Sequence, residues 1–393
     1  MEGIRDKVAI VGMGCTKFGE NWQKNAEDMM VEACYEAFED AGIGPKDIQA
    51  AWLATMWSGR SGTMLSRALR TKYIPVTRVE NLCCSGTDAF RNACYAVAAG
   101  IYDIVLAVGT EKLKDTGWSG IPSPPTDYDW MPINPPVGPA ADFAQLAIGY
   151  MKTYDTSYEV LKAALSKTAV KNHYNGSLNP KAHFQRKITF EQAQNAPMIA
   201  WPLGLYDCCG VSDGAAAAII CRADMAKSFR DDYILVKGLN IACGLEQSQA
   251  LQDWDYAHVP ENVAAAQGAY EEAGIKNPRE EVDMAEVHDC FTITELVIME
   301  DLGFSPRGKV IEDVNSGFFE LDGGLSVNTD GGLKCFGHPI GASGLRMIYE
   351  VYKQLQGKAG PRQLKNIDIG LTHNLGGYPS IAIVSVAVFG RRD

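Results

Sequence analysis

Short apolar segments with strand character alternate with helical segments along this chain, and the same series of elements occurs twice. In the first series, Val8–Val11 predicts a strand that ends at Gly12, and Ala26–Ala41 predicts a helix that stops at Gly42. Further elements of the first series are expected at Ile48–Ala54 (strand), Thr77–Leu82 (strand), Ser85–Ala99 (helix) and Ile104–Val108 (strand). This alternation predicts an α/β sheet with helices on both faces.

The second half of the chain repeats this plan. Its expected elements are Tyr233–Ile241 (strand), Glu261–Ala273 (helix), Met284–His288 (strand), Ile340–Gln354 (helix), and the closing strands Ile367–Thr372 and Ile381–Phe389. The segments Ala37–Ile43 and Ala269–Ile275 share five of seven residues, and each ends a helix at a glycine before a strand. Matching positions in two similar series predict an internal duplication.

The two series divide the chain into an N-terminal half, residues 1–230, and a C-terminal half, residues 231–393. An insertion at about residues 112–205 interrupts the first half; it holds a proline-rich run, Ile121–Pro139, and then a helical, more basic part, Tyr158–Gln194. Loops of this length in compact domains are usually lids or binding loops. A disordered linker is the alternative. A packed lid is favoured by four aromatic residues: Tyr128, Trp130, Phe143 and Tyr150.

Composition and charge exclude several classes of function. The net charge of −12 argues against a nucleic-acid partner, because phosphate binding needs a basic surface. No segment approaches the roughly 18 uncharged apolar residues that cross a membrane, and the polar start Met1–Lys7 lacks the apolar run of a signal peptide. The eleven cysteines are dispersed without a C-x-x-C pair, so no metal site is expected. A reducing cytoplasm is therefore predicted.

The candidate nucleophile is Cys83, within the segment Glu80-Asn-Leu-Cys-Cys-Ser-Gly86. A predicted strand delivers Cys83 to a tight turn at a helix start, where unpaired N–H groups and the helix dipole favour a thiolate. Ser85 and Gly86 are small and leave room for a bulky thioester. On sequence position alone, a pair of inert buried cysteines is an equally good interpretation.

The candidate base is His338, within Cys335-Phe-Gly-His-Pro-Ile-Gly-Ala-Ser-Gly344. A histidine between glycine and proline lies on a constrained turn before a helix, where it presents its imidazole. An imidazole in this position can deprotonate a thiol and later stabilise an oxyanion; a histidine that only caps the helix is the alternative. The preceding turn, Asn328–Gly332, is glycine-rich and suits close approach of a ligand.

Two further motifs end predicted strands. His288 and Cys290 occur in Glu286-Val-His-Asp-Cys-Phe291 at the carboxyl end of a strand, where open α/β sheets place reactive groups. His288 is a candidate to orient a water, and Cys290 a candidate to move a proton; a satisfied buried histidine is the alternative. The last motif, Thr372–Gly377, has glycines that aim backbone N–H groups at a thioester oxygen.

Together and in this order, these motifs resemble the thiolase family over nearly the whole chain. The similarity is closest to the sterol-carrier-protein-X type and the archaeal type, in which the motifs read C-x-S-G, H-D-C-F and G-H-P. The resemblance implies the thiolase fold: two duplicated βαβαβαββ halves that form five αβαβα layers, with an inserted loop domain. It also implies a dimer or dimer of dimers with the Thr77–Leu82 strand near the twofold, and often a small zinc-ribbon/OB-fold partner that helps to hold coenzyme A.

The resemblance further implies a mechanism. His338 activates Cys83, which attacks the 3-oxo carbon of a 3-oxoacyl-CoA; the C–C bond breaks, and Cys290 protonates the enolate. Coenzyme A, a substrate rather than a bound cofactor, then takes the acyl group. One oxyanion site uses His338 with a water held by His288, and the other uses the N–H groups of Cys83 and Gly376. Contacts to coenzyme A are expected from Lys171, His173, Ser212, Gly214, Asn328, Gly331 and Gly332.

Some positions depart from the better-known thiolases. Those enzymes have Asn-Glu where this chain has His288-Asp289, and their second cysteine lies where this chain has Asn374, so Cys290 replaces it. Cys84 has no assigned role. The substrate stays open between acetoacetyl-CoA and an aryl 3-oxoacyl-CoA such as benzoylsuccinyl-CoA, the latter prompted by the bulky Trp130 and Trp201.

Three other interpretations are kept. A ketosynthase would share the fold and Cys83 but would use two histidines and would not need Cys290. Some relatives have lost the nucleophile and act as retro-aldolases. An acyl-CoA-binding scaffold would not need Cys83, Cys290 and His338 together.

Overall fold

A computed structural model describes residues 3–117, 138–245, 254–379 and 381–391. The first half begins with β1 (Val8–Cys15), α1 (Ala26–Ala41), β2 (Ala50–Ala54), α2 (Thr63–Leu69), β3 (Val76–Val79), α3 (Ser85–Ala98) and β4 (Ile104–Glu111). The insertion follows, with α4 (Pro139–Thr153), α5 (Tyr158–Ser177), α6 (Phe190–Gln194), β5 (Met198–Ala200) and β6 (Leu203–Gly204). The half closes with β7 (Gly214–Arg222) and α7 (Ala223–Ala226).

The second half contains the remaining elements. They are β8 (Ile234–Cys243), α8 (Pro260–Ala273), α9 (Pro278–Glu281), β9 (Met284–Glu286), α10 (Thr292–Asp301), α11 (Val310–Ser316), β10 (Ser326–Val327), α12 (Gly332–Phe336), α13 (Ile340–Leu355), β11 (Ile369–Tyr378) and β12 (Ile381–Gly390). Short 3₁₀ turns connect some of these elements.

The strand order repeats between the halves. From the centre outward, one half runs β1-β7-β4-β2-β3 and the other runs β8-β12-β11-β9-β10. In each half the first two pairings are antiparallel and the outer two are parallel. Two antiparallel pairs between β1 and β8, Ala9 with Leu235 and Ile10 with Ile234, join the halves into one ten-stranded sheet. The predicted duplicated fold is confirmed.

Two helices form the central layer between the halves. α3 and α13 pack against each other, and α13 contacts β4 and β7 on one side and β9 and β11 on the other. α1 covers β1 and β7 from outside, and α8 covers β8 and β12. The first turns of α3 and α13 approach closely because glycines face each other: a Cβ at Gly86 would lie 2.8 Å from the carbonyl oxygen of Gly341, and one at Gly344 would lie 2.6 Å from the backbone nitrogen of Thr87.

Glycines caused the two main errors in predicted strand ends. β1 was expected to stop at Gly12 but continues to Cys15, and β11 continues through its glycines to Tyr378. A Cβ at Gly14 would overlap the carbonyl of Ala33 on α1, so this glycine permits close helix packing rather than a turn. In β11, Gly376 pairs with Ile383 of β12, so these glycines lie within a paired strand rather than after its end.

The described part of the insertion is packed. Phe143 and Tyr150 of α4 are buried in the core of the C-terminal half, and the ring of Phe143 stacks on Phe291 with centroids 4.7 Å apart. Most of the proline-rich run Ile121–Pro139, including Tyr128 and Trp130, lies outside the described residues. Among the helices that the structure describes, none combines the length and apolar character needed to cross a membrane.

Candidate active site

The turn after β3 presents Cys83 at the start of α3. Leu82 adopts a left-handed conformation with φ of 51°, which is unusual for a non-glycine residue. Ser85 holds the turn, because its hydroxyl accepts the N–H of Asn81 at 2.9 Å and donates to the carbonyl of Leu82 at 2.5 Å. Cys83 is half-buried, whereas Cys84 is buried with its thiol 3.1 Å from the carbonyl oxygen of Asn374. Cys84 therefore anchors the turn to β11.

His338 follows a turn that only glycine accommodates easily. Gly337 has φ of 76°, and the N–H of His338 donates to the carbonyl of Gly210 at 3.0 Å. The Nδ1 atom lies 2.8 Å from Ser343 Oγ, and the Ser343 hydroxyl donates to the carbonyl of Pro339 at 3.1 Å. With the single Ser343 hydrogen donated to Pro339, the tautomer that fits is Nδ1–H donating to Ser343 Oγ. Nε2 is then the unprotonated nitrogen, as a base for Cys83 requires.

Cys83, His288 and His338 come together where α3 and α13 cross. The sulfur and one ring nitrogen of each histidine lie within 4.8 Å of one another. The two imidazole rings meet edge to face, with centroids 5.1 Å apart and planes at 83°. Among the described residues, His288 Nδ1 and His338 Nε2 have no hydrogen-bond partner. The structure thus joins three residues from three separate sequence motifs into one site.

Burial dominates the electrostatics of this site. Burial raises the pKa of the Cys83 thiol, the neighbouring Cys84 acts in the same direction, and the N–H of Gly377 lowers it. Burial, with the Arg346 guanidinium, lowers the pKa of His338 to about 3. Burial likewise lowers the pKa of His288. Both shifts favour a neutral thiol beside a neutral imidazole at neutral pH and oppose the effect of the helix start, which favours a thiolate.

This charge state predicts how Cys83 reacts with alkylating agents. Iodoacetamide reacts with the thiolate. Because the pKa of Cys83 lies above the ordinary value of 9.0, its thiolate fraction keeps increasing with pH from neutral to mildly alkaline conditions. The alkylation rate should climb by about tenfold per pH unit up to about pH 9. Peptide mass spectrometry measures the alkylation rate of Cys83, with the exposed Cys243 as internal reference. A plateau below about pH 8 would instead indicate a preformed thiolate–imidazolium pair.

Cys290 lies beside the same site. Its side chain is buried, its sulfur is 3.7 Å from Thr294 Oγ1, and burial raises the pKa of its thiol. A third thiol, Cys209, raises the pKa of both Cys83 and Cys290, so it also faces this region. Sequence reasoning missed Cys209, because its segment has no motif of its own. A protonated Cys290 is in the state that a proton donor needs.

The segment that contains Cys209 ties the middle and late motifs together. The N–H of Cys209 donates to the carbonyl of Cys290 at 2.8 Å, and Gly210 accepts the N–H of His338. The hydroxyl of Ser212 donates to the carbonyl of Phe336 at 2.7 Å, just before the His338 turn. Ser212 is thus placed as a support for His338, and its predicted contact to coenzyme A stays a prediction.

The glycines of β11 approach the Cys83 turn as expected. A Cβ at Gly376 would lie 2.8 Å from the carbonyl oxygen of Asn81 and 3.0 Å from the backbone nitrogen of Cys83. The backbone N–H that lowers the pKa of Cys83 belongs to Gly377, whereas the N–H of Gly376 acts on Cys84. Gly377 is therefore a second candidate, beside the predicted Gly376, for an oxyanion donor.

Four of the residues predicted to contact coenzyme A make close contacts with other parts of this chain. The Lys171 ammonium pairs with Glu295 at 2.6 Å, and Asn328 also donates to Glu295. The turn Asn328–Gly332 forms as predicted, yet what approaches its glycines is protein: a Cβ at Gly331 would meet Gly176, and one at Gly332 would meet the Asp289 carboxylate. These positions contact the scaffold, and their predicted contacts to coenzyme A stay predictions.

The Asp289 carboxylate explains why the turn Asn328–Gly332 is tight. Its carboxylate accepts the N–H groups of Leu333 at 2.6 Å and Lys334 at 3.2 Å, so it caps α12, the helix before His338. Of the remaining predicted contacts, His173 is buried with Nδ1 3.1 Å from the carbonyl oxygen of Arg186, and burial lowers its pKa to about 4. Gly214 begins β7 against the ring of Phe18.

Replacement of Ser343 by alanine tests the role of its hydroxyl in orienting His338. Without the hydroxyl, Nδ1–H loses its acceptor and the Nε2–H tautomer becomes accessible, so kcat should fall by about tenfold with KM nearly unchanged. Steady-state kinetics and thermal unfolding measure the two effects. A lowered melting temperature with normal kcat would mean that Ser343 only stabilises α13.

Comparison with known proteins gives consistent matches over this chain. Residues 8–224 match the family model described as thiolase, N-terminal domain, and residues 243–391 match the thiolase C-terminal domain-like model. An acetyl-CoA acetyltransferase of Methanothermobacter thermautotrophicus is 39% identical, covering 98% of this chain and 99% of that protein. Benzoylsuccinyl-CoA thiolase subunit BbsB of Thauera aromatica is 30% identical, covering 95% and 96%. A solved structure described as Ltp2-ChsH2(DUF35) aldolase superposes with a TM-score of 0.84 at 26% identity, covering 99% and 98%.

Proposed function

This chain belongs to the thiolase family and is an acyltransferase, and from that premise we propose that it cleaves or forms acetoacetyl-CoA through an acetyl group carried on Cys83. The observation that carries the proposal is the meeting of Cys83, His288 and His338 within 4.8 Å at the crossing of α3 and α13. The preference for acetoacetyl-CoA rests on the 39% identity to an acetyl-CoA acetyltransferase, compared with 30% to the benzoylsuccinyl-CoA thiolase subunit.

The first half-reaction starts from the neutral thiol and imidazole. His338 Nε2 takes the proton of Cys83 as the sulfur attacks the 3-oxo carbon, so no charged pair has to be maintained in the resting site. The oxygen becomes an oxyanion beside His338 and a water held by His288. Collapse of this adduct breaks the C–C bond, leaves an acetyl group on Cys83, and releases the enolate of acetyl-CoA, which Cys290 protonates.

The second half-reaction returns both protons. The Cys290 thiolate takes the proton of an incoming coenzyme A thiol, and that sulfur attacks the acetyl group on Cys83. The backbone N–H groups of Cys83 and of Gly376 or Gly377 stabilise the oxyanion that forms. Cys83 leaves as a thiol after taking its proton back from His338. Each half-reaction thus moves two protons, one through His338 and one through Cys290.

The aryl substrate remains an alternative within the same chemistry. Its two prompts were Trp130, which lies outside the described residues, and Trp201, which is 52% exposed and stacks on Tyr158 with centroids 5.8 Å apart. An outward-facing tryptophan gives little support to an aromatic acyl pocket. The Thauera relative keeps benzoylsuccinyl-CoA in the substrate panel.

A second candidate function is aldol cleavage. It is favoured by the 0.84 TM-score to a structure described as an aldolase. Cys83 argues against it, because a retro-aldol step needs a base but no acyl-carrying sulfur. The ketosynthase and binding-scaffold alternatives are less favoured, because both halves of the chain match thiolase models.

Partners and location complete the proposal. β3 is an edge strand of the sheet and suits pairing with β3 of a second copy, which supports the dimer or dimer of dimers. The aldolase complex contains a DUF35 protein, which supports the proposed small partner subunit. The dispersed, free cysteines support the proposal of a cytoplasmic location. Light scattering during gel filtration, with and without a candidate partner, tests the assembly.

The substrate is tested by a panel assayed with and without coenzyme A. Acetoacetyl-CoA should be cleaved to acetyl-CoA only when coenzyme A is present, whereas a benzoylsuccinyl-CoA and a 3-hydroxyacyl-CoA should be cleaved at least about tenfold more slowly. Cleavage of the 3-hydroxyacyl-CoA without coenzyme A would favour the aldolase. Preference for benzoylsuccinyl-CoA would favour the aryl thiolase.

A further inference from the structure

The Cys83–His288–His338 group also has the composition of a metal site. A thiolate and two imidazoles are ligands that zinc prefers, and three protein ligands with an open fourth position are typical of exchangeable zinc sites. The sequence predicted no metal site because these residues are scattered over the chain without ligand spacing. The fold nevertheless places the three donor atoms within 4.8 Å of one another.

We propose that Cys83, His288 and His338 bind a Zn²⁺ ion that blocks the enzyme by occupying its nucleophile. Tetrahedral zinc holds sulfur and nitrogen ligands about 3.5 Å apart, so the side chains need to move by about 1 Å to close around an ion. His288 and His338 are 1% and 2% exposed, and His288 Nδ1 and His338 Nε2 have no hydrogen-bond partner among the described residues. Each histidine therefore has at least one ring nitrogen that is free of hydrogen bonds to the described residues.

The charges around the group permit a cation. The Arg346 guanidinium acts electrostatically on both histidines, but it forms ion pairs with Glu286 and Asp330. The arginine is therefore locally neutralised. When the ion binds, the S–H bond of Cys83 breaks, a Zn–S bond forms, and the proton passes to solvent.

Binding of Zn²⁺ would be reversible inhibition. The ion and an acyl group compete for the same sulfur, so an acylated Cys83 cannot bind zinc and a zinc-bound Cys83 cannot attack a thioester. Cys290 is not part of the donor group, so its thiol stays free in the zinc-bound state. The fourth position remains open to water or to a substrate thiol.

Cobalt is the probe, because tetrahedral Co²⁺ reports its ligands by absorption. The full chain, freed of metal with a chelator and kept reduced by a phosphine, should bind one Co²⁺. Binding should give a thiolate-to-cobalt charge-transfer band and strong visible bands, which Zn²⁺ then bleaches. Cys83→Ser should remove the charge-transfer band, and His288→Gln or His338→Gln should weaken binding by about tenfold or more.

Two controls keep this test independent of catalysis. Cys290→Ser and Cys243→Ser should retain the charge-transfer band, because neither sulfur belongs to the donor group. Circular dichroism checks that each variant is folded. A band that survives in Cys83→Ser, or no band in the unmodified chain, would overturn the proposal. Because absorption rather than turnover is measured, failure of the zinc proposal would leave the proposed acetoacetyl-CoA chemistry untouched.

Discussion

Replacing Cys83 by alanine should lower kcat/KM for thiolysis of acetoacetyl-CoA by about four orders of magnitude or more. The acyl group then has no sulfur to carry it, and neither neighbouring thiol can substitute. Cys84 points away into contacts with the carbonyls of Asn374 and Ile383, and the buried Cys290 is proposed as the proton donor to the enolate. Coupled spectrophotometric assay of acetyl-CoA formation measures the loss.

The adjacent cysteine is a matched control for this variant. Cys84→Ala removes a thiol from the next position along the chain, where the sulfur contacts β11 and β12 rather than substrate. It should lower the melting temperature by a few degrees, equivalent to about 1 kcal/mol, and retain acyl transfer. The opposite result would mean that the nucleophile is misassigned: a fully folded Cys84→Ala variant without activity, and a Cys83→Ala variant that keeps it.

Replacing His338 by alanine should lower kcat by about a thousandfold, because general-base assistance to the Cys83 thiol is lost. The raised pKa of Cys83 makes this loss large, since the thiol does not ionise on its own at neutral pH. The residual rate should rise with pH as hydroxide replaces the imidazole. Stopped-flow measurement of the acylation step, over a pH series, separates this effect from deacylation.

His288→Ala is the comparison for His338→Ala. His288 faces His338 edge to face, and its proposed role is to hold a water, so its loss should lower kcat by about tenfold to a hundredfold with no steep pH dependence. Equal losses and equal pH slopes in the two variants would contradict the separate roles of base and water holder.

The sequence predicted the architecture well because strand and helix periodicity are local signals. α1 was predicted at its observed ends, and the duplicated order of elements was visible in the match of Ala37–Ile43 to Ala269–Ile275. Glycine was misjudged where it serves packing between elements. Gly14 and Gly376 are strand residues at positions where a Cβ would collide with the backbone of another segment. The sequence alone does not show that this segment lies close.

The sequence offered candidate site residues one by one but did not predict the network of contacts among them. Cys83 and His338 could be identified from the small residues and the constrained turn beside them in the sequence. Cys209 contacts residues that are distant in the chain, and Ser343 acts through a single hydroxyl, so neither leaves a sequence signal. The predicted ligand turn Asn328–Gly332 is explained by Asp289 and Gly176. A glycine-rich turn permits close approach, and the sequence does not say whether protein or ligand approaches.

The central claim is tested most directly by locating the acyl group. The protein would be mixed with acetoacetyl-CoA while coenzyme A is withheld, quenched in acid and digested with pepsin, because thioesters hydrolyse in alkali. Fragmentation of the peptide that spans Asn81–Ser85 should place an acetyl group on Cys83, and the Cys84→Ala variant should carry the same adduct while Cys83→Ala carries none. An adduct on Cys84, Cys209 or Cys290, or no adduct from a protein that still cleaves acetoacetyl-CoA, would contradict the account.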